Sequence, residues 1–263
     1  MRFGTLRGNG PGRYHGADAG GNGRADDPDG GDWHREEETT PMLLAKSCHD
    51  IDMMMWMLSK TKPVSISSFG GKYQFRPENA PEGAGTVCMK DCPHVDTCVY
   101  STKRLYIDHP DRWSFYVWAD LEDRGIDDIN EKIKLLKTDS PYGVCAYKSD
   151  NNVVDHQSVL VGFESGATGT HNLTGGTAES LRTLRVIGTK GEIYAEMENK
   201  FVTLKEINPT PTTYFDETHI DLSDVPDEGH GGGDEGLMRD FVKFIAGEEP
   251  SVSCTAIQSS VMG

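Results

Sequence analysis

Across residues 39–60 the chain reads TTPMLLAKSCHDIDMMMWMLSK, and Leu44, Cys48, Ile51, Met55 and Leu58 recur at spacings of four and three. That repeat is one face of an α-helix, so a helix is predicted here. Thr39 or Thr40 can cap it, and Pro41 suits its first position, where a missing N–H costs nothing. Met53, Met54, Trp56 and Met57 make its second half apolar nearly all round, which predicts burial. Lys46, His49, Asp50 and Asp52 are set into this apolar element. Lys46, His49 and Asp52 follow at intervals of three and so share a face. Burying an ammonium, an imidazole and a carboxylate costs several kcal/mol unless they are paired or line a cavity. Two readings follow: a structural polar cluster at a helix contact, or a catalytic site.

The period then changes. Residues 63–69, PVSISSF, alternate and are rich in β-formers, so a strand leaves the helix. Strand-like runs follow at 142–147, 153–163, 167–173, 181–187, 192–197 and 201–205. Turn signals separate them, among them Glu164-Ser165-Gly166, Gly175-Gly176 and Gly188-Thr189-Lys190-Gly191. Short loops imply antiparallel neighbours. The expected fold class is α+β, a large open mainly antiparallel sheet packed on helices. Residues 126–137 read as an exposed amphipathic helix with Ile129, Ile133 and Leu136 on its apolar side. Residues 112–119, RWSFYVWA, fit a strand or a short buried helix. Residues 237–246 form a last helix with Leu237, Phe241, Phe244 and Ile245 on one side.

The N-terminal 32 residues are crowded with Gly, Asp, Arg and Asn and have almost nothing apolar to bury. They are expected to be disordered, or an aberrant lead-in, with order beginning near Trp33. The net charge of −16, with no long Lys/Arg run, disfavours nucleic acid and anionic membranes as partners. No apolar run reaches membrane-spanning length, and a cytoplasmic location is expected. The six cysteines lack a secreted spacing pattern. Cys88, Cys92 and Cys98, in CMKDCPHVDTC, resemble a metal knuckle that would need a fourth ligand, His94 or a distant cysteine. Free thiols in a loop are the competing reading. Further candidates for a pocket are His156, in VVDHQ, and His230 and Asp234, in the glycine loop DEGHGGGD.

PMLLAKSCHDIDMMMWML, CMKDCPHVDTC, LRVIGTKGEIY and GHGGGDEGLMRDFVKFI together resemble the C-terminal domain of Gfo/Idh/MocA oxidoreductases, over roughly residues 33–263. The resemblance implies an enzyme that oxidises a secondary alcohol of a sugar or cyclitol with NAD or NADP. The family binds the dinucleotide on an N-terminal Rossmann domain. No strand–GxGxxG–helix unit occurs in this sequence, nor the family's Glu-Lys-Pro motif. The expectation is therefore a fragment, also truncated at its C-terminal end, that supplies the substrate pocket and the oligomer interface through the open sheet.

The family's His-x-x-Asp falls on His49 and Asp52. The resemblance gives His49 the acid/base role, with Asp52 or Lys46 orienting it or the sugar hydroxyls. The family's further aspartate one helical turn before the His is replaced here by Ala45, beside Lys46. Alternatives are a non-catalytic binding or oligomerisation module, and a fragment of an NAD-dependent glycosidase of the same family. Zinc on the three cysteines is an expectation separate from the resemblance.

Overall fold

The computed structural model describes residues 2–4, 7–8, 35–37, 41–45, 47–109, 117, 121, 125, 127–138, 140–177, 181–210, 212–225 and 232–248. Nine described strands form one sheet. They are β1 (Arg2–Gly4), β2 (Arg7–Gly8), β3 (Pro63–Gly71), β4 (His156–Phe163), β5 (Thr168–Thr174), β6 (Thr183–Ile187), β7 (Gly191–Glu196), β8 (Phe201–Ile207) and β9 (Phe215–Asp221). The order is β3-β4-β5-β1-β6-β7-β8-β9, with β2 beside β5. Pairing is antiparallel except for β1 and β2 on β5. This is the α+β architecture the strand and turn pattern predicts.

Five helices accompany the sheet among the described residues: α1 (Met42–Ala45), α2 (Cys48–Met57), α3 (Cys88–Asp91), α4 (Ile129–Lys137) and α5 (Gly233–Ala246). β4 shows why one face holds α2. Val159, Val161 and Phe163 are buried while Ser158 and Leu160, on alternate positions, are exposed. Met54 and Leu58 of α2 complete that layer with Ala167, Leu184, Val186 and Ala195. Each buried Val, Leu, Met or Phe among them contributes about 1.5–3 kcal/mol. The helix lies close on β5: a Cβ on Gly169 would clash with Met54 Sδ. A second cluster, Met42, Phe75, Ala146, Val153 and Leu173, lies beyond the start of α2. A third, with Leu105, Tyr106, Val117 and Leu136, packs α4.

Several expectations change. The helix over 39–60 is two pieces, α1 and α2, with Ser47 before α2 at φ −97° and ψ 4°. The buried face of α2 carries Ser47, Asp50, Met54 and Leu58, not the stripe through Leu44 and Cys48. Trp56 is 57% exposed, because the helix packs on one sheet face only. Residues 142–147 are no strand. Pro141 opens a 3₁₀ turn to Gly143, braced by the Tyr142 N–H donating to Ser140 Oγ, and only Val144 bridges, to Val87.

β9 was not anticipated. As an edge strand exposed at every residue it carries no alternation of apolar and polar positions. Arg2–Gly4 and Arg7–Gly8, inside the stretch expected to be disordered, pair with β5 and β6. Backbone pairing to existing strands needs no buried side chains of its own. The rest of residues 1–32 lies outside the described residues, as does 112–119 apart from the buried Val117. In α4 the inward residues are Lys132 and Leu136. No residue of α5 is buried, and Leu237, Phe241, Phe244 and Ile245 are all more than half exposed.

Candidate functional site

Helix α2 is held to the sheet by a charge. Asp50 points inward and is only 4% exposed. A lone carboxylate there would be expensive, so its partners decide whether the helix can lie this way. The Nε2 of His171, on β5, stands 3.2 Å from Asp50 Oδ2. The Arg182 Nε stands 3.2 Å from Asp50 Oδ1. Arg182 is held in turn by Glu198, 3.3 Å from its Nη1, whose other oxygen accepts the Arg182 backbone N–H. His171 faces α2 because β5 alternates, with Gly169, His171 and Leu173 buried. Its Nδ1 and the Ser47 Oγ are buried without a hydrogen-bond partner.

His49, one residue before Asp50, is on the exposed side of α2, and Asp52 is half-buried. Among the described residues no hydrogen bond or ion pair engages His49. Lys46 lies outside the described residues. The exposed imidazole next to a locked carboxylate can accept a proton from, or donate one to, a molecule docked on this side. A cavity lined by Met57, Leu58, Lys60, Thr61, Ser165 and Ala167 lies at the opposite end of α2 from His49.

The other pocket candidates are not gathered around His49. His156 shares with Ser158 and Leu160 the sheet face away from α2. Its Nδ1 lies 3.1 Å from Asp155 Oδ1, and its ring meets Tyr73 edge-on at 6.1 Å. Asp155 gathers the backbone N–H groups of Tyr73, Gln74 and Phe75 at 2.6–3.0 Å. Burial pushes its carboxyl up, but hydrogen bonds from Phe75, Tyr73, His156 and Gln74 outweigh that and hold it below the usual carboxylate value. Asp234 is exposed in the first turn of α5, and His230 lies outside the described residues. Asp50, His171, Arg182 and Asp155 were missed. Asp50 had a signal, being one of two carboxylates flanking Ile51 in an apolar helix. The strand partners had none, because pairing in space leaves no mark on spacing.

Cys88 opens α3, and Cys92 follows its last residue. Burial is the largest influence on Cys98, and on Cys145 across the loop, and pushes both thiols up. Among the described residues no group of three or more His, Cys, Asp or Glu side chains is assembled to hold a metal ion.

No family model and no curated protein matches the chain. Solved structures do. An oxidoreductase domain protein from Kribbella flavida superposes with a TM-score of 0.50 at 13% identity, over 96% of this chain and 51% of that one. The chain has the fold of part of that protein. A super-repressor mutant of Gal80p from Saccharomyces cerevisiae gives 0.49 at 11% identity, over 96% and 47%. UDP-N-acetylglucosamine 3-dehydrogenase GnnA from Acidithiobacillus ferrooxidans gives 0.44 at 9%, over 95% and 48%. The chain spans about half the length of these structures. No described helix is long and apolar enough to cross a membrane.

Proposed function

We propose that the chain is the substrate-side half of an NAD(P)-dependent oxidoreductase acting on a secondary alcohol of a sugar or cyclitol. The observation that carries this reading is the exposed His49 on a helix whose rotation is fixed by the buried Asp50. The fold shared with an oxidoreductase domain protein supports it. Among the described residues no glycine-rich strand-to-helix turn offers the backbone amides that cradle a pyrophosphate, so the dinucleotide is not assigned to them. The step assigned to this chain is proton transfer at the substrate hydroxyl, with His49 as the base. Asp52 and Lys46 orient the imidazole or neighbouring hydroxyls. His156, His230 and Asp234 are secondary candidates for binding substrate.

The face of the sheet away from α2 carries the exposed side chains Phe69, Leu160, Tyr194, Phe201, Ile207 and Phe215. Covering it with a second copy is the proposed oligomer interface.

The test restores a nucleotide-binding domain ahead of residue 33 and compares wild type with His49→Asn. Melting should be nearly unchanged, because His49 is exposed. Turnover should fall by roughly a hundredfold or more, as loss of a general base does. Normal turnover per folded molecule in the variant would remove His49 from the mechanism.

A further inference from the structure

The sheet ends differently at its two edges. At one edge β3 opens on Pro63, and its register on β4 slips between Pro63 and Ser65. A proline and an irregular register both spoil an edge for further pairing. At the other edge β9 has neither proline nor lysine. It pairs with β8 without a break, from Phe201↔Asp221 to Ile207↔Phe215. All seven of its residues are exposed.

The ladder fixes which backbone groups of β9 stay open. Just before its start the Asn208 N–H donates to Tyr214 O at 3.0 Å. Hydrogen-bonded and non-hydrogen-bonded positions alternate along an antiparallel pair. Asp216, Thr218 and Ile220 therefore turn their N–H and C=O groups toward β8. Phe215, Glu217, His219 and Asp221 turn theirs outward, and among the described residues no further strand takes them up. The side chains of these same four residues share the sheet face away from α2. There Glu217 stands between the Lys205 Nζ at 3.0 Å and the His219 Nε2 at 3.1 Å. The His219 Nδ1 lies 3.1 Å from Thr203 Oγ1.

A second β9 laid antiparallel on this edge keeps outward groups opposite outward groups when the pair is centred on Glu217, Thr218 or His219. Centred on Glu217, glutamate faces glutamate. Centred on His219, Glu217 faces Asp221. Centred on Thr218, Glu217 faces the His219 of the other copy, Phe215 faces Asp221, and Asp216 faces Ile220. Opposite charges across a strand pair stabilise it and like charges destabilise it. The Thr218 register alone sets no like charges opposite each other, and it pairs every outward N–H and C=O of Phe215–Asp221. Parallel alignment in register would stack Asp216, Glu217 and Asp221 on their own copies. We infer that β9 is a dimerisation edge, on which two copies of this chain pair antiparallel about Thr218 and their sheets run on into one. The acidic residues of β9 admit a second copy in this register and repel it in the others. This edge is distinct from the sheet face proposed above as an oligomer interface, and the inference does not rest on that reading.

The experiment uses the full chain. Under mild oxidation Thr218→Cys should give a disulfide-linked dimer, with peptide mass mapping placing the link between the two copies of position 218. Directly opposed residues of a non-hydrogen-bonded pair stand about 4.5 Å apart at Cα, within disulfide reach. Asp216→Cys should not link to its own copy, which this register sets about 13 Å away. In sedimentation equilibrium His219→Glu should weaken dimerisation by roughly tenfold, whereas His219→Lys, which keeps a positive charge opposite Glu217, should retain it. Hydrogen exchange needs no variant: the amides of Glu217 and His219 should slow as wild-type concentration rises. Leu160→Lys, on the face away from α2, should leave the link at position 218 intact. A dimer that Leu160→Lys abolishes, with no link at position 218, would overturn the inference and leave the face reading standing. A monomer at every concentration would overturn it too. So would equal linking of the Asp216→Cys and Thr218→Cys variants, or exchange at Glu217 and His219 slowed only by an added extended peptide of another protein.

Discussion

Replacing Asp155 tests how far one carboxylate organises the approach to the second core cluster. Its Oδ2 accepts the N–H groups of Tyr73 at 2.9 Å, Gln74 at 2.6 Å and Phe75 at 3.0 Å. Three successive amides converge on one group and turn the chain after β3. They deliver Phe75, 1% exposed, into contact with Tyr100 at 5.1 Å between ring centroids. Asp155→Ala leaves these donors without an acceptor. An orphaned buried donor costs roughly 1–3 kcal/mol. The Phe75 N–H is fully buried, whereas Tyr73 is 67% exposed and its amide can turn to water. The expected loss is therefore about 3 kcal/mol rather than three full penalties.

Asp155→Asn keeps one acceptor oxygen and should lose about half as much. Urea unfolding reads this as a lowered midpoint at constant slope. The pH dependence has a definite sign. A carboxyl held below its unfolded value of about 3.9 adds stability that is present above that pH. The stability is lost as pH falls through the lower folded value, so the gap between wild type and Asp155→Asn should narrow below about pH 4. An Asp155→Ala protein within about 0.5 kcal/mol of wild type, the usual range of a surface change, would refute the reasoning by showing that the amides find water.

Asp50→Ala should cost about 1–3 kcal/mol by leaving the buried His171 Nε2 without its partner, Arg182 keeping its pair with Glu198, measured by the same unfolding curves. Lys132 is 1% exposed, and burial pushes its ammonium down to about 8. A lowered lysine costs stability wherever both states are charged, and the cost is relieved as pH rises from the folded toward the unfolded value. The stability of wild type relative to Lys132→Met should therefore rise between about pH 8 and 10. A difference that does not change with pH would assign Lys132 another role.

Much of the sheet was legible because its strands bury one face and their turns carry glycine and short polar runs. β4 and β5 alternate as the sequence does, and the Gly188–Gly191 turn falls between β6 and β7. Legibility ended where burial was decided by a partner far along the chain. The apolar stripe of α2 could not be told from its charged face, because Asp50 is made tolerable by residues 121 and 132 positions away. His49, Asp52 and the cysteines were visible as residue types at helical or loop spacing. β9, bare on both faces, had no hydrophobic rhythm to read.

Neighbouring positions on an α-helix point about 100° apart. Anchoring Asp50 downward therefore aims residue 49 outward whatever side chain stands there. The angular setting of the position proposed above as the base is held by Asp50, a group buried against the sheet. Position 49 is thus free to change during evolution without disturbing the seat of the helix, while position 50 is tied to two strands. Inserting one residue between Ser47 and His49 would carry His49 into the buried setting of Asp50 and Asp50 on to that of Ile51. New chemistry on this scaffold is reached by substitution at position 49 and is closed to insertion just ahead of it.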